Sequence, residues 1–209
     1  MTNLGEIADA AVNSPQRKRG AALEDAIRQA AYEELTAVGY TAFSVEGVAA
    51  RARTGKASIY RRWPTKQDLV MDSLLAVLPT PSDCGIALQL DDSVTTVEAL
   101  HTVARAIANV ITSPAGDAMR AIKCEAVSDP ELAKLIDERF QAPRRAAMLE
   151  LLNRGVQRGE VRPGAATALV ADVLPAVLMH RVIMLRESLA PRDVIAVVEE
   201  IFIPLVEVR

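Results

Sequence analysis

The chain reads as an all-α protein in two parts: an N-terminal three-helix domain carrying a helix-turn-helix, and a larger C-terminal helical domain. Three observations predict this. Apolar residues recur at three- and four-residue steps through most segments, and no alternating stretch of useful strand length occurs. Half of the 209 residues are hydrophobic, yet much of that half is alanine and aromatics are only 3%, a composition suited to packed helices. Glycine, proline and capping residues punctuate the periodic runs where helices must start and stop.

Residues 1–16 lack helical periodicity and end at Ser14-Pro15. They read as a flexible arm whose basic tail, Arg17-Lys18-Arg19, either lies along a phosphate backbone or in a minor groove, or is simply solvated. From Gly20, the positions Leu23, Ile27, Ala30, Ala31, Leu35 and Val38 define an amphipathic helix that Gly39 ends. Ser44 is placed to cap a short helix by accepting from the backbone near Gly47, with Val45, Val48, Ala49 and Ala52 on the inner side. A tight turn then leads into Lys56–Trp63, which Pro64 stops; Thr65 caps the next helix and Asp68 takes its third position. That helix, "LVMDSLLAVLP", runs to Pro79, where "TPSDCG" marks a boundary. The expected domains are residues 17–78, with the helix-turn-helix at about 44–63, and residues 79–209. Further helices are expected at about Val94–Ile111, Gly116–Val127, Glu131–Gln157 with Pro143 inside it, Ala165–Glu187 and Arg192–Val206.

Charge is distributed unevenly. The chain is formally −3, but from Arg17 to Lys66 ten Lys or Arg stand against five acids, +5, leaving 14 basic and 22 acidic residues, −8, elsewhere. A basic front on an acidic body points to a polyanionic partner docked at one end. Cys84 and Cys124 are too few and too isolated for a disulfide framework or a metal site, which suits a reducing cytoplasm. The first twenty residues have neither the basic start nor the apolar stretch of a secretion signal. The most apolar region, "GAATALVADVLPAVLMHRVIML", is broken by Asp172 and Arg181, so no membrane span is expected. An enzyme is the main rival class, but no HExxH, GxSxG, P-loop or dinucleotide motif occurs, and only two histidines are available as general bases near neutral pH. No catalytic residue, metal or cofactor is expected.

In "TGKASIYRRWPTKQDL", helical spacing directs Ile59 and Trp63 together into the three-helix core. The opposite side is left to Ala57, Ser58, Arg61 and Arg62, with Lys56 and Tyr60 at the margin. Small residues at the start of such a helix permit close approach to base edges, and cations further along engage phosphates or guanines. Carried on the second helix of a helix-turn-helix, this pattern is a DNA-reading surface. Lys66, at the start of the next helix, is placed to join backbone amides at a phosphate.

The stretch "SVEGVAARARTGKASIYRRWPTKQDLV", with Gly39 and Tyr40 before it, resembles the DNA-binding domain of the TetR family of bacterial transcriptional regulators over about Arg17–Leu78, most specifically at Ile59, Tyr60, Trp63 and Lys66. "RGEVRP" at 158–163, followed by a long apolar helix, is similar to the ligand-binding half of many members. The resemblance implies a homodimer on double-stranded, inverted-repeat operator DNA, in the cytoplasm at the nucleoid, acting as a repressor that a small effector releases. Carried over by position, it assigns DNA contacts to Lys56, Ala57, Ser58, Tyr60, Arg61 and Arg62, backbone contacts to Ser44 and Val45, and a phosphate contact to Lys66. Where members commonly have Gly-Val-Ser in the turn, this chain has Arg53-Thr54-Gly55, so an arginine stands at the usual positive-φ glycine. Such a residue costs on the order of 1 kcal/mol.

In the second domain, the helix from Ala165 to Glu187 is apolar nearly all round and must be covered on two sides. Together with the last helix it is expected to pair with its symmetry mates through Leu174, Leu178, Val182, Val198, Ile201 and Phe202; a monomer hiding both helices is the alternative. A largely hydrophobic effector, of identity unknown, is expected among the helices from Val94 to Gln157. The candidates for its pocket are His101, Met119, Arg120, Cys124, Phe140, Met148 and His180, each of which also has an ordinary reading as core filler or surface. Pro175 removes a backbone bond and could open a bulge beside a cavity. Two alternatives stand beside this reading: a DNA-binding regulator controlled by a protein partner, and a small-molecule-binding helical enzyme.

Overall fold

A computed structural model describes residues 15–83 and 93–208, with 15–19 as backbone alone. Among these residues every regular element is a helix. The chain divides into two compact units between Ser73 and Leu74, inside a helix and ahead of the turn-rich break. The expected arm up to residue 14, and Cys84, lie outside the described residues.

The first unit holds α1 (Pro15–Ala42), α2 (Val45–Arg51), α3 (Lys56–Tyr60) and the start of α4 (Lys66–Leu75). Pro15 opens α1 rather than closing an arm, because its fixed φ suits a first helical turn. The RKR triplet is therefore helical backbone. Ile27, Ala30, Ala31 and Leu35 form the buried face of α1, whereas Val38 is exposed. At Gly39 the backbone leaves helical geometry, with φ 74 and ψ 171, so the predicted end is a kink followed by one more turn. Ser44 Oγ accepts from Gly47 N at 3.0 Å, the expected cap of α2. At Gly47, a Cβ would collide with the Glu34 carboxylate, so the missing side chain lets α2 cross close to α1. Val48, Ile59, Trp63 and Leu69 close the core, and each fully buried side chain of this size contributes about 1.5–3 kcal/mol.

One carboxylate ties these helices together. Asp72 Oδ2, on α4, accepts from Trp63 Nε1 and from Arg28 Nε on α1, both at 2.8 Å. The Arg28 guanidinium also lies 5.7 Å from the centroid of the Trp63 ring. Hydrogen bonding to Asp72 holds the Arg28 pKa above the ordinary arginine value.

The second unit contains α5 (Thr96–Ile111), α6 (Pro114–Glu125), α7 (Pro130–Ile136), α8 (Ala142–Gln157), α9 (Ala168–Ile183), α10 (Pro191–Val197) and α11 (Ile203–Val206). The central helix is α5: Leu100, Val103 and Ala104 pack with Leu152 of α8, Leu174 and Leu178 of α9, Val198, and Phe202. A full capping box starts it, with Thr95 and Glu98 exchanging bonds. Gly116 begins α6 against the main-chain oxygen of Val110, leaving no room for a side chain.

Two π-helical turns were not anticipated. Asp137–Gln141 joins α7 to α8, and Val198–Phe202 joins α10 to α11. In each, a backbone N–H reaches five residues back, Ala142 to Asp137 and Ile203 to Val198, immediately before Pro143 and Pro204. A proline ring would press on the carbonyl four residues earlier, and the wider turn relieves it. Pro175 is accommodated without such a turn, and α9 stays continuous with no bulge. Among the described residues no helix is long and apolar enough to cross a membrane, and no group of His, Cys, Asp or Glu could hold a metal ion.

Replacing Asp72 with Ala leaves the buried Trp63 N–H and the Arg28 guanidinium without their shared acceptor. It should destabilise the first unit by about 2–3 kcal/mol. The sole tryptophan, Trp63, makes urea unfolding followed by its fluorescence the direct measurement.

Candidate nucleic-acid interface and cavity

Ile59 and Trp63, 1% and 5% exposed, point into the first unit and fix the rotation of α3. That rotation turns Ala57, Tyr60 and Arg61 outward to solvent. Tyr60 is 48% exposed, a large aromatic left on the surface. Arg61 is the residue that ends α3, and its side chain makes no ion pair among the described residues. Lys56 is also exposed, but Glu46 Oε1 accepts from its Nζ at 2.6 Å. The pairing holds the Glu46 carboxyl below its usual range and the Lys56 ammonium above its own. Near neutral pH, therefore, Lys56 brings no net charge to this face.

The remaining predicted contacts are divided between surface and scaffold. Ser58 is half-buried, and both its carbonyl and its hydroxyl accept from Arg62 Nη1, at 3.0 and 3.1 Å. Arg62 Nε also reaches back to Glu24 Oε1 at 3.0 Å, so this guanidinium locks α3 to α1 instead of standing outward. Ser44 serves as the α2 cap, and Val45 is buried beneath it. Lys66 Nζ donates to Tyr40 O at 2.7 Å and sits 4.4 Å over the Tyr40 ring, anchoring α4 to the end of α1. Arg51, on α2, is held by the buried Glu34 at 2.7 Å. Arg53, in the turn, has φ 50, so the left-handed position that the sequence marked is occupied by an exposed arginine.

In the second unit a cavity of ≈ 460 Å³ opens among α5, α6, α8 and α9. Val103, Ile107 and Val110 line it from α5, and Phe140 and Gln141 from the π-helical turn. Met148 lines it from α8, and Pro175 and Met179 from α9. Lys123, Arg144, Arg145 and Asp172 are its charged members. Of the predicted lining residues, Phe140 and Met148 are present and five are not. Met119 is buried in packing next to the cavity lining, and Arg120 pairs with Asp117 at 2.7 Å on the solvent side of α6. Cys124 is exposed, as is His180, and His101 bonds Glu199 at 2.7 Å. Lys123 was missed because a lysine on an amphipathic helix ordinarily faces water.

Residues 27–72 match the model of bacterial regulatory proteins of the tetR family, and residues 90–201 match that of the tetracyclin repressor-like C-terminal domain. The chain belongs to the TetR family. It is a DNA-binding transcriptional regulator of that family. The uncharacterised HTH-type regulator YdeS of Bacillus subtilis is 31% identical over 173 residues, covering 81% of this chain and 84% of YdeS. The DNA-binding transcriptional repressor TetR of Mycobacteroides abscessus is 31% identical over 169 residues, covering 78% and 83%. A TetR-family regulator from Mesorhizobium loti shares the fold at a TM-score of 0.72 and 23% identity, over 91% of this chain and 99% of that one.

The apolar positions offered for pairing of TetR-family subunits fall differently from expectation. Leu174, Leu178, Val198 and Phe202 are wholly buried in their own subunit and could meet a partner only by unpacking its core. Val182 is half-buried, and Ile201 is exposed. The α9 helix has three faces: Val170, Ala171, Leu174 and Leu178 enter the core, and Asp172, Pro175 and Met179 line the cavity. Its third face carries Leu169, Val173, Ala176, His180 and, just past its end, Met184, with Leu169 and Met184 79% and 70% exposed.

Two measurements follow from this geometry. Arg53→Gly relieves the left-handed backbone and should raise stability by about 1 kcal/mol in urea unfolding. Glu46→Gln removes a negative charge beside α3 and releases Lys56. It should tighten binding to any duplex at low salt and steepen the salt dependence, read by fluorescence anisotropy.

Proposed function

We propose that this regulator is a cytoplasmic, nucleoid-associated homodimeric repressor that holds an inverted-repeat operator and lets it go when a small, largely hydrophobic effector enters the second unit. The observation that carries the DNA-reading part is Arg61. It is an exposed, unpaired guanidinium on the outward side of a recognition helix whose rotation is fixed by Ile59 and Trp63. Arg61 reads a base edge, Tyr60 and Ala57 pack against the groove, and Lys56 meets phosphate once Glu46 yields it. Ser44, Ser58, Arg62 and Lys66 position the helices that do this, and Val45 is core. The exposed stripe of α9, with Ile195 and Ile201 of the last segment, supports pairing of two copies. Two recognition helices one DNA turn apart then require a two-fold symmetric site. The cavity, largely apolar and of a size usual for small ligands, supports an effector over control by a protein partner.

Sequencing the duplex fragments retained by the purified protein tests this reading. The expected outcome is a two-fold symmetric site whose half-sites are about one helical turn apart. Arg61→Ala should weaken binding to that site by roughly 10- to 100-fold and blur the preference at one base pair per half-site. Failure to retain any duplex in dilute buffer, or an unaltered preference in Arg61→Ala, would refute it.

A further inference from the structure

The cavity carries a charge that its described surroundings do not balance. Lys123 lines it from α6, with Nζ 5.4 Å from the centroid of Phe140, and no carboxylate among the described residues pairs with it. Asp172 is the only acid in the lining, and both of its oxygens accept from Arg145 Nε, at 2.9 and 3.0 Å. Arg144 adds a second cation nearby. Its guanidinium lies 3.8 Å from the Phe140 centroid and donates to the carbonyls of Pro79 and Phe140 at 2.6 and 3.1 Å.

An ammonium in such a place is costly, because burial removes its water and a like charge stands beside it. Both effects act on Lys123: burial first, then the charge of Arg144, pushes its pKa below the ordinary lysine value. A ligand bearing one negative charge would relieve both. A neutral ligand would displace water and leave the ammonium unanswered, and a cationic one would add to the repulsion.

We propose that the cavity binds an amphipathic carboxylic acid, its carboxylate accepting from Lys123 Nζ and its apolar body lying against Val103, Ile107, Met148 and Met179. One carboxylate matches one ammonium donor, and ≈ 460 Å³ suits a single alkyl chain or a small ring system. This inference rests on reading the cavity as the effector site, and it names the chemical class of the effector.

Three eight-carbon probes separate the possibilities: octanoate, octan-1-ol and octylammonium, titrated calorimetrically into the full-length protein at neutral pH. Octanoate should fill one site per chain and bind at least about tenfold more tightly than the other two. Lys123→Met should weaken octanoate by roughly 10- to 100-fold, the worth of one charge-assisted hydrogen bond, and leave octanol unchanged. Lys123→Arg should keep the preference for the acid. Without ligand, Lys123→Met should melt no lower than the parent protein, since it removes a desolvated charge; if it melts lower, the preference kept or lost in Lys123→Arg decides.

Equal or tighter binding of octanol or octylammonium, no binding of octanoate, or unchanged octanoate affinity in Lys123→Met overturns the proposal. Operator release is scored separately. If octanol frees the DNA and octanoate does not, the carboxylate inference fails while effector control stands. If octanoate binds and the DNA stays held, effector control fails while the carboxylate site stands.

Discussion

The first unit is organised around Asp72, whose single oxygen receives both the indole N–H of Trp63 and the guanidinium of Arg28. The core is small, and apolar burial alone would leave α3, a helix of five residues, free to rotate or slide. Three directed contacts prevent this: Asp72 holds Trp63 just beyond the end of α3, Arg62 ties its last turn to Glu24, and Ile59 fills the space between. With rotation fixed from inside, the identity of the outward residues becomes meaningful. Arg61 stands free on that face because Arg62, its neighbour, is bound inward.

The second unit applies a different constraint. Its ninth helix must satisfy three environments at once: the packed interior around Leu174, the cavity beside Pro175 and Met179, and solvent along Leu169 and Met184. Apolar residues on every side are the only sequence that meets the first two demands, and the third leaves hydrophobic surface that a folded monomer does not cover. The proline-linked π-helical turn at Asp137–Gln141 serves the same unit by widening the helix where Phe140 and Gln141 reach the cavity.

How much of this could be read from the chain depends on how far each interaction reaches. The Ser44 cap, the kink at Gly39, the inward pair Ile59 and Trp63, and the left-handed position at Arg53 are all fixed by neighbours a few residues away, and the sequence displays them. The inward turn of Arg62 depends on Glu24, and the anchoring of Lys66 depends on Tyr40, partners that no local period reveals. The pairing residues were misassigned for a related reason. A helix apolar at every angle has no phase, so nothing in it distinguished Leu174, which is core, from Leu169, which is surface. Lys123 escaped notice because its significance lies in the acids it lacks, and that is visible only once the surrounding helices are in place.

The arginine at position 53 has an implication for how this lineage can drift. A backbone that prefers glycine here carries instead the longest cationic side chain, at the rim of the surface offered to a polyanion. Selection for endurance to heat and selection for grip on nucleic acid thus pull one codon in opposite directions. Related regulators that changed this residue would be expected to show the exchange as a sturdier fold with a looser hold on DNA.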